Sequence, residues 1–463
     1  MRRTERTERV DVRNPSTETV QHGFRFADIR RMFGGNGTSS LRQFGILGSL
    51  IVIVLLFEVL TLVRNGPSGA TLTSGNLINV INQYSFILIL AIGMVMVIIM
   101  GHIDLSVGSV AAFVGIIVAK SMTEGNLPWP LAIVLGLVVG ALVGAWHGFW
   151  VAYVGVPAFI VTLAGMLFFR GANQWIGNSQ TVPVPKGFQY IGTGYLPEVA
   201  VPLDFNVPTM VLALLGVAWL VFWEVRTRRV QQKMGSERAP VWVSVVKVIL
   251  LSIVVLAAGW MFATGRPGTS FPIPGLILLA LVIIYSFLTR NTVFGRHIYA
   301  VGGNRQAARL SGVKDRWVDF FVMMNMSVLA ALAGMIFVAR SQASGPGDGN
   351  GWELDAIASV FIGGAAVAGG IGTVIGSIIG GLVMAFLNNG LALLGQGADV
   401  VSMIKGLVLL LAVGIDVWNK QQGRPSIIGL LTRRRPRTDE FGSSTLQPPA
   451  APSASGQKET ASR

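Results

Sequence analysis

Cysteine is absent from all 463 residues, which excludes disulfides, thiolate metal sites and a cysteine nucleophile. Histidine is scarce. His22, His102, His147 and His297 are scattered, and no HExxH-type pair exists, so neither a protein metal site nor a cofactor is expected. No phosphate loop of the form GxxxxGKS or GxxxxGKT occurs, so the chain is not expected to hydrolyse ATP. No convergent Ser/His/Asp set or carboxylate pair marks an embedded enzyme. Charge is also sparse: 13% of the residues are Asp, Glu, Lys or Arg, where a soluble domain carries roughly twice that fraction.

What fills the chain instead is apolar surface, at 52% of residues. Apolar runs of about 18 residues recur along most of its length, and such runs read as membrane-spanning helices. A soluble all-α protein of this composition would have too little polar surface to cover its outside. The expected fold class is an all-α, polytopic transmembrane helical bundle. About twelve spans are expected, at 41–63, 77–100, 103–121, 131–154, 157–176, 208–224, 242–264, 273–289, 317–339, 354–369, 371–394 and 400–418. The segment 354–369 is short and glycine-rich, so it reads equally as a broken or re-entrant helix. Three regions follow: a leader at 1–40, a transmembrane domain at 41–420 and a tail at 421–463.

The basic residues orient these spans. With the N-terminus inside, the segments 1–42, 225–241, 290–316 and 419–463 carry nine, five, six and eight Lys and Arg. The opposite loops hold Arg64, Lys120, Lys186, Arg266 and Arg340. This asymmetry places both termini in the cytoplasm and demands an even number of spans. It also accounts for the formal charge of +14 through loops beside anionic lipid, with no nucleic acid needed. The leader lacks a signal-peptide pattern. Within it, "FRFADIRRMF" puts Phe26, Ile29 and Phe33 on one helical face and suits a helix lying on the inner leaflet. The Pro/Ala/Ser-rich end, "QPPAAPSASGQKETASR", is expected to be disordered.

Two spans carry small residues every fourth position. One series is Gly136, Gly140, Gly144 and Gly148. The other is Gly372, Gly376 and Gly380, extended backward by Ala368 and Gly364. Each makes a smooth stripe on which another backbone can pack closely, or along which it can slide. Ionisable residues inside spans are few. Lys247 is placed to anchor its helix at the inner face. Glu58, Arg170 and Lys405 lie toward outer ends, to pair with other helices or to reach the headgroups. Between two spans with almost no loop lies "GHIDLSVGS" (101–109), where Asp104 or Ser106 is positioned to cap the next helix or to serve a pathway or gate. The amide pairs Asn82–Gln83 and Asn388–Asn389 suit either helix–helix hydrogen bonds or a path for hydroxyl-rich solutes. An ion-coupled transporter would use Asp104 and Lys405.

Several segments carry a family resemblance. "NLINVINQYSFILILAIGMVMVIIMGHIDLSVGSV" (76–110) resembles the early-span signature of sugar ABC-importer permeases of the ribose/xylose type, and "VPAFIVTLAGMLFFRG" (156–171) is similar to another of their segments. "GRHIYAVGGNRQAARLSGV", "VARSQASGPGDGNGWELDAIASVFIGGAAVAGGIGTVIGSIIGGLVMAFLNNGLALLG" and "MIKGLVLLLAVGIDV" follow the family in order, so the resemblance covers about half the chain. The resemblance implies a homodimer of permease copies, two separate ATP-binding subunits on the cytoplasmic side and an extracytoplasmic sugar-binding protein. Transport would proceed by alternating access. It also implies that Gly302, Gly303, Asn304, Arg305, Gln306, Ala307, Ala308 and Arg309 form the loop that contacts the ATPase. Its small residues would enter a groove on that subunit, and Arg305 and Arg309 would meet acidic groups there. Two positions depart from the family. His102 stands where a small residue is usual, and Arg305–Gln306 precede the double alanine where an acidic residue is common. The extra apolar stretch at 208–264 is more like the xylose-type members. A branched-chain amino-acid or nucleoside permease remains the nearest rival.

Overall fold

The computed structural model describes residues 38–199, 204–233, 241–265 and 268–421, and side-chain surroundings within 45–414 of these. The leader helix expected at 26–33 and the tail lie outside the described residues. The elements are helical apart from one short ribbon, β1 (Val182–Pro183) paired antiparallel with β2 (Ala343–Ser344). The helices are α1 (Thr38–Asn65), α2 (Ser74–Ile99), α3 (Val107–Thr123), α4 (Trp129–Phe149), α5 (Ala158–Ile176), α6 (Lys186–Thr193), α7 (Val207–Lys233), α8 (Val241–Ala263), α9 (Ile273–Asn291), α10 (Val293–Gly303), α11 (Arg305–Leu310), α12 (Asp315–Ser341), α13 (Trp352–Ile362), α14 (Val374–Leu393) and α15 (Ala398–Gln421). Among the described residues, eight helical segments are long and apolar enough to cross a membrane. The 17-residue α3 is a shorter apolar helix.

Contacts at the helix ends sort the bundle into two faces. Ile99, Gly302, Asp319 and Gly370 meet at one, the basic end, which carries the loop at 290–316 with its six Lys and Arg. At the far end, Asn65 donates to the Leu393 carbonyl (3.0 Å) and Lys120 to that of Ile176 (2.9 Å). Helices α2, α12 and α14 fill the centre. The run Ser85–Ile99 of α2 is buried on every side, as a helix apolar all round must be in the middle of a bundle.

The first glycine stripe does what its spacing requires. A Cβ at Gly136 would meet the Met335 sulfur at 2.6 Å, at Gly144 the Met324 Cα at 2.6 Å, and at Gly148 the Phe320 carbonyl at 2.8 Å. All three partners lie on α12, so bare glycine lets the two backbones touch along about three turns. The second stripe is shorter than expected. Helix α14 begins only at Val374, so Gly364, Ala368 and Gly372 belong to the preceding loop, while Gly376 and Gly380 pack against backbone at Ser359 and Gly363.

The expected span at 354–369 is not a continuous helix. Helix α13 has 11 residues, or about 16 Å, half of a hydrocarbon core of about 30 Å. The chain descends from the far end as the glycine-rich segment 345–351, seats Gly349 against Gly108, and continues as α13. It then reaches the basic end through 363–373, where the Gly370 N–H donates to the Ile99 carbonyl (2.8 Å). Gly349, Gly351, Gly364, Gly369 and Gly370 all have left-handed φ, a conformation with little cost only for glycine.

The extra stretch at 208–264 forms a hairpin of α7 and α8 packed mainly on itself, through Gly259 on Ala213 and Gly216 on Val255. Few residues of either helix are buried. Lys247 pairs across the hairpin with Glu224 at 3.0 Å.

Candidate functional site

The loop at the basic end consists of two short helices meeting at a sharp corner. Thr292 Oγ1 accepts the Gly295 N–H (3.1 Å) to start α10, and Asn304 Oδ1 accepts the Ala307 N–H (2.9 Å) to start α11. Gly302 lies against the Ile99 carbonyl, where any side chain would collide. Tyr299 Oη donates to the Gly372 carbonyl at 2.7 Å. The small residues therefore divide. Gly302 and Ala308 pack inward, whereas Gly303 and Ala307 face out beside Asn304 and Gln306. Leu310, which sequence reasoning passed over, is 86% exposed at the end of α11, an apolar knob next to Arg309.

Both arginines are paired within the chain. Arg305 grips Asp319 with both terminal nitrogens, one at 3.0 Å, and lies 3.4 Å from Asp315. Arg309 reaches Asp315 at 2.7 Å. His102 Nε2 lies 2.9 Å from the same Asp319 carboxylate. The hydrogen bond to Asp319 holds the Arg305 guanidinium above its ordinary pKa. Both arginines thus have acids within the chain, on the first turns of α12. The departure at His102 gains a role, because its imidazole ties the turn after α2 to that same carboxylate. These groups border a cavity of about 560 Å³. Its opposite wall is the bend between α4 and α5, where a π-turn at Trp150–Val154 ends at left-handed Gly155.

The other sequence candidates are scattered. Asp104 and Ser106 are both buried. Asp104 Oδ1 accepts the Ser106 N–H (2.8 Å) and Oγ–H (2.6 Å), and the Ser106 side chain caps no helix N–H. The capping expectation is therefore corrected: Asp104 stabilises the turn one residue ahead of α3. Asn389 and Asn76 exchange reciprocal amide hydrogen bonds (2.8 and 3.0 Å), joining α14 to α2. Asn82 donates to Tyr195 Oη (3.1 Å), while its own Oδ1 and that of Asn388 are buried without a partner. Gln83 is half-buried and adjoins none of the other amides by hydrogen bond.

A second polar centre, missed from the sequence, lies at the start of α13. Asp355 pairs with Lys405 of α15 at 2.9 Å. Glu353 faces Arg170 of α5 at 3.9 Å, and its Oε2 has no hydrogen-bond partner. Trp352 forms an aromatic cluster with Phe86 and Phe337, its ring tilted to both with centroids 4.5 Å from each. The half-helix thus carries two carboxylates into the interior of the bundle, each facing a cation on a different neighbour. The available signal was an acidic pair directly after "GDGNG", the pattern of a helix first turn. Arg170 and Lys405 were visible as isolated intramembrane charges.

Comparison with known proteins places this architecture. The family model described as "Branched-chain amino acid transport system / permease component" matches residues 76–413. The chain is 39% identical to the xylose transport system permease protein XylH of Haemophilus influenzae, over 83% of this chain and 98% of that one. It is equally 39% identical to XylH of Escherichia coli K12, over 84% and 95%. To the ribose import permease protein RbsC of Escherichia coli K12 it is 34% identical, over 81% and 94%. No solved structure matches. With the match running from α2 into α15, the last helix, the chain belongs to the transport-system permease-component family that this model describes.

Proposed function

We propose that the chain is the membrane-spanning permease subunit of an ATP-driven, binding-protein-dependent importer of a pentose of the xylose class. It would act as a homodimer in the bacterial inner membrane and carry out no covalent chemistry on its solute. The observation that supports this most is the 39% identity to XylH across almost the whole of that protein. The loop at the basic end supports the rest. It is exposed, it presents Leu310 and Arg309, and it is braced from behind by Asp315 and Asp319, as a contact for a separate ATP-binding subunit requires. In this reading the basic end is cytoplasmic, and residues 342–373 count as one crossing made of loop, half-helix and loop. Twelve crossings result, with both termini inside. The membrane domain occupies 41–420, between the leader and the tail. Asn82, Gln83 and Asn388 are the amides left available to a solute path, whereas Asn389 is committed to Asn76.

The substrate class is tested by competition. Cells lacking their own pentose permeases express the chain with its ATP-binding subunit and binding protein, and take up labelled xylose. Excess unlabelled xylose is expected to suppress the signal, and leucine or adenosine to leave it unchanged. Suppression by leucine or adenosine instead would assign the transporter to amino acids or nucleosides.

A further inference from the structure

Helix α13 is attached to the loop at the basic end by contacts that leave little slack. Residues 363–373 form a compact knuckle, closed on itself by the Ala366 N–H donating to the Ile371 carbonyl at 2.9 Å. Its glycines interleave with the end of α10. A Cβ on Gly370 would fall 2.9 Å from the Gly303 Cα, and one on Gly369 would fall 3.0 Å from the carbonyl oxygens of both Gly302 and Ile99. Tyr299 Oη reaches into the knuckle at Gly372 (2.7 Å), and Gly370 N–H bonds to Ile99 (2.8 Å). On the other side of the corner, Arg305 is fixed to α12 and, through Asp319, to His102 in the turn after α2. Backbone packed on backbone, without flexible side chains between, moves as a unit.

We infer that this knuckle is the transmission of the transporter: a displacement of α10–α11 by the ATP-binding subunit is passed through Gly302/Gly370 and Tyr299/Gly372 to α13. There it shifts Glu353 and Asp355 against Arg170 and Lys405. Tyr299 and Asp319 are positioning residues in this scheme. Tyr299 ties the loop to the knuckle, and Asp319 holds the loop against α12 so that a push is not dissipated by rotation of α11. Because the two acids of α13 face cations on separate helices, α5 and α15, a small movement of α13 alters both pairs together. The inference rests on the reading of the chain as an ATPase-driven permease.

The absence of cysteine allows single fluorescent reporters. Leu354 is 52% exposed on α13, and Gln306 is exposed on α11. Bimane is attached to Leu354→Cys or to Gln306→Cys in the complete transporter in nanodiscs, and spectra are compared before and after a non-hydrolysable ATP analogue. Both positions are expected to shift. In Tyr299→Phe, the Gln306 shift persists and the Leu354 shift is lost, with sugar moved per ATP falling about fivefold or more. Asp319→Asn is expected to behave alike, and Asp319→Glu to restore both readouts. A Leu354 shift that is missing in the parent protein, or unchanged in Tyr299→Phe and Asp319→Asn, overturns the inference while leaving the ATPase contact intact. A Gln306 position blind to the ATP-binding subunit overturns the functional reading itself, and the transmission with it.

Discussion

Asp355 and Lys405 meet 2.9 Å apart, with side chains 12% and 29% exposed. A carboxylate there is tolerable only while its counter-charge stays in reach. Lys405→Met should therefore destabilise the protein by roughly 3 kcal/mol, whereas adding Asp355→Asn to it should recover most of the loss. Thermal unfolding of the detergent-purified variants checks this, and a double variant no more stable than Lys405→Met would contradict the pairing. The two halves of this pair were unequally legible. Lys405 stands alone in an apolar run and drew notice as an intramembrane charge. Asp355 sits 50 residues earlier, at the edge of a segment whose glycines blur its boundaries. The same limit applied at Arg305. Its basicity and its loop were readable, but the acid it binds is 14 residues downstream, at what reads as the mouth of the next span. Sequence alone does not distinguish an own-chain acid from one on another subunit.

At the level of helices, the glycine stripe of α4 is the clearest case of pattern dictating contact. Period-four glycine predicted a close backbone approach, although not that the partner would be α12. Gly144→Leu would drive a side chain into the Met324 backbone, and overpacking of this kind costs roughly 1–3 kcal/mol or more where backbone cannot yield. Gly48→Leu on α1, with nothing within 4 Å of a Cβ, serves as the control and should leave folding unchanged. Size-exclusion profiles of the two variants make the comparison, and a monodisperse Gly144→Leu protein would contradict the packing. The stripe before α14 misled for a physical reason. Residues 364–372 are as small and apolar as a packed helix, and the left-handed glycines that break it leave no mark on hydropathy. The half-helix was consequently readable only as an ambiguity. Its consequence was not readable at all: the loop replacing the missing helical turns forms the seat of α10.

Over the whole molecule, the sequence count of 28 basic residues on the expected inner side against five on the other supports the polarity proposed above. The basic end carries the braced loop and its cavity. The far end carries the amide pair Asn76–Asn389 and the β1–β2 ribbon. The α7–α8 hairpin stands outside this axis, with few buried residues, and joins the core near the far end, where Thr209 Oγ1 accepts the Phe271 N–H at 3.2 Å. Its existence was legible as two apolar runs, but its detachment from the central bundle was not, because hydropathy scores lipid-facing and protein-facing surface alike. In the function proposed here, the energy for transport enters at the basic end, through a separate ATP-binding subunit. Proteoliposomes test this most directly. Purified chain alone should accumulate no labelled xylose under any proton or sodium gradient, and accumulation should begin when the ATP-binding subunit and ATP are present on the Gln306 side with sugar-loaded binding protein on the other. Gradient-driven accumulation by the chain alone would contradict the account.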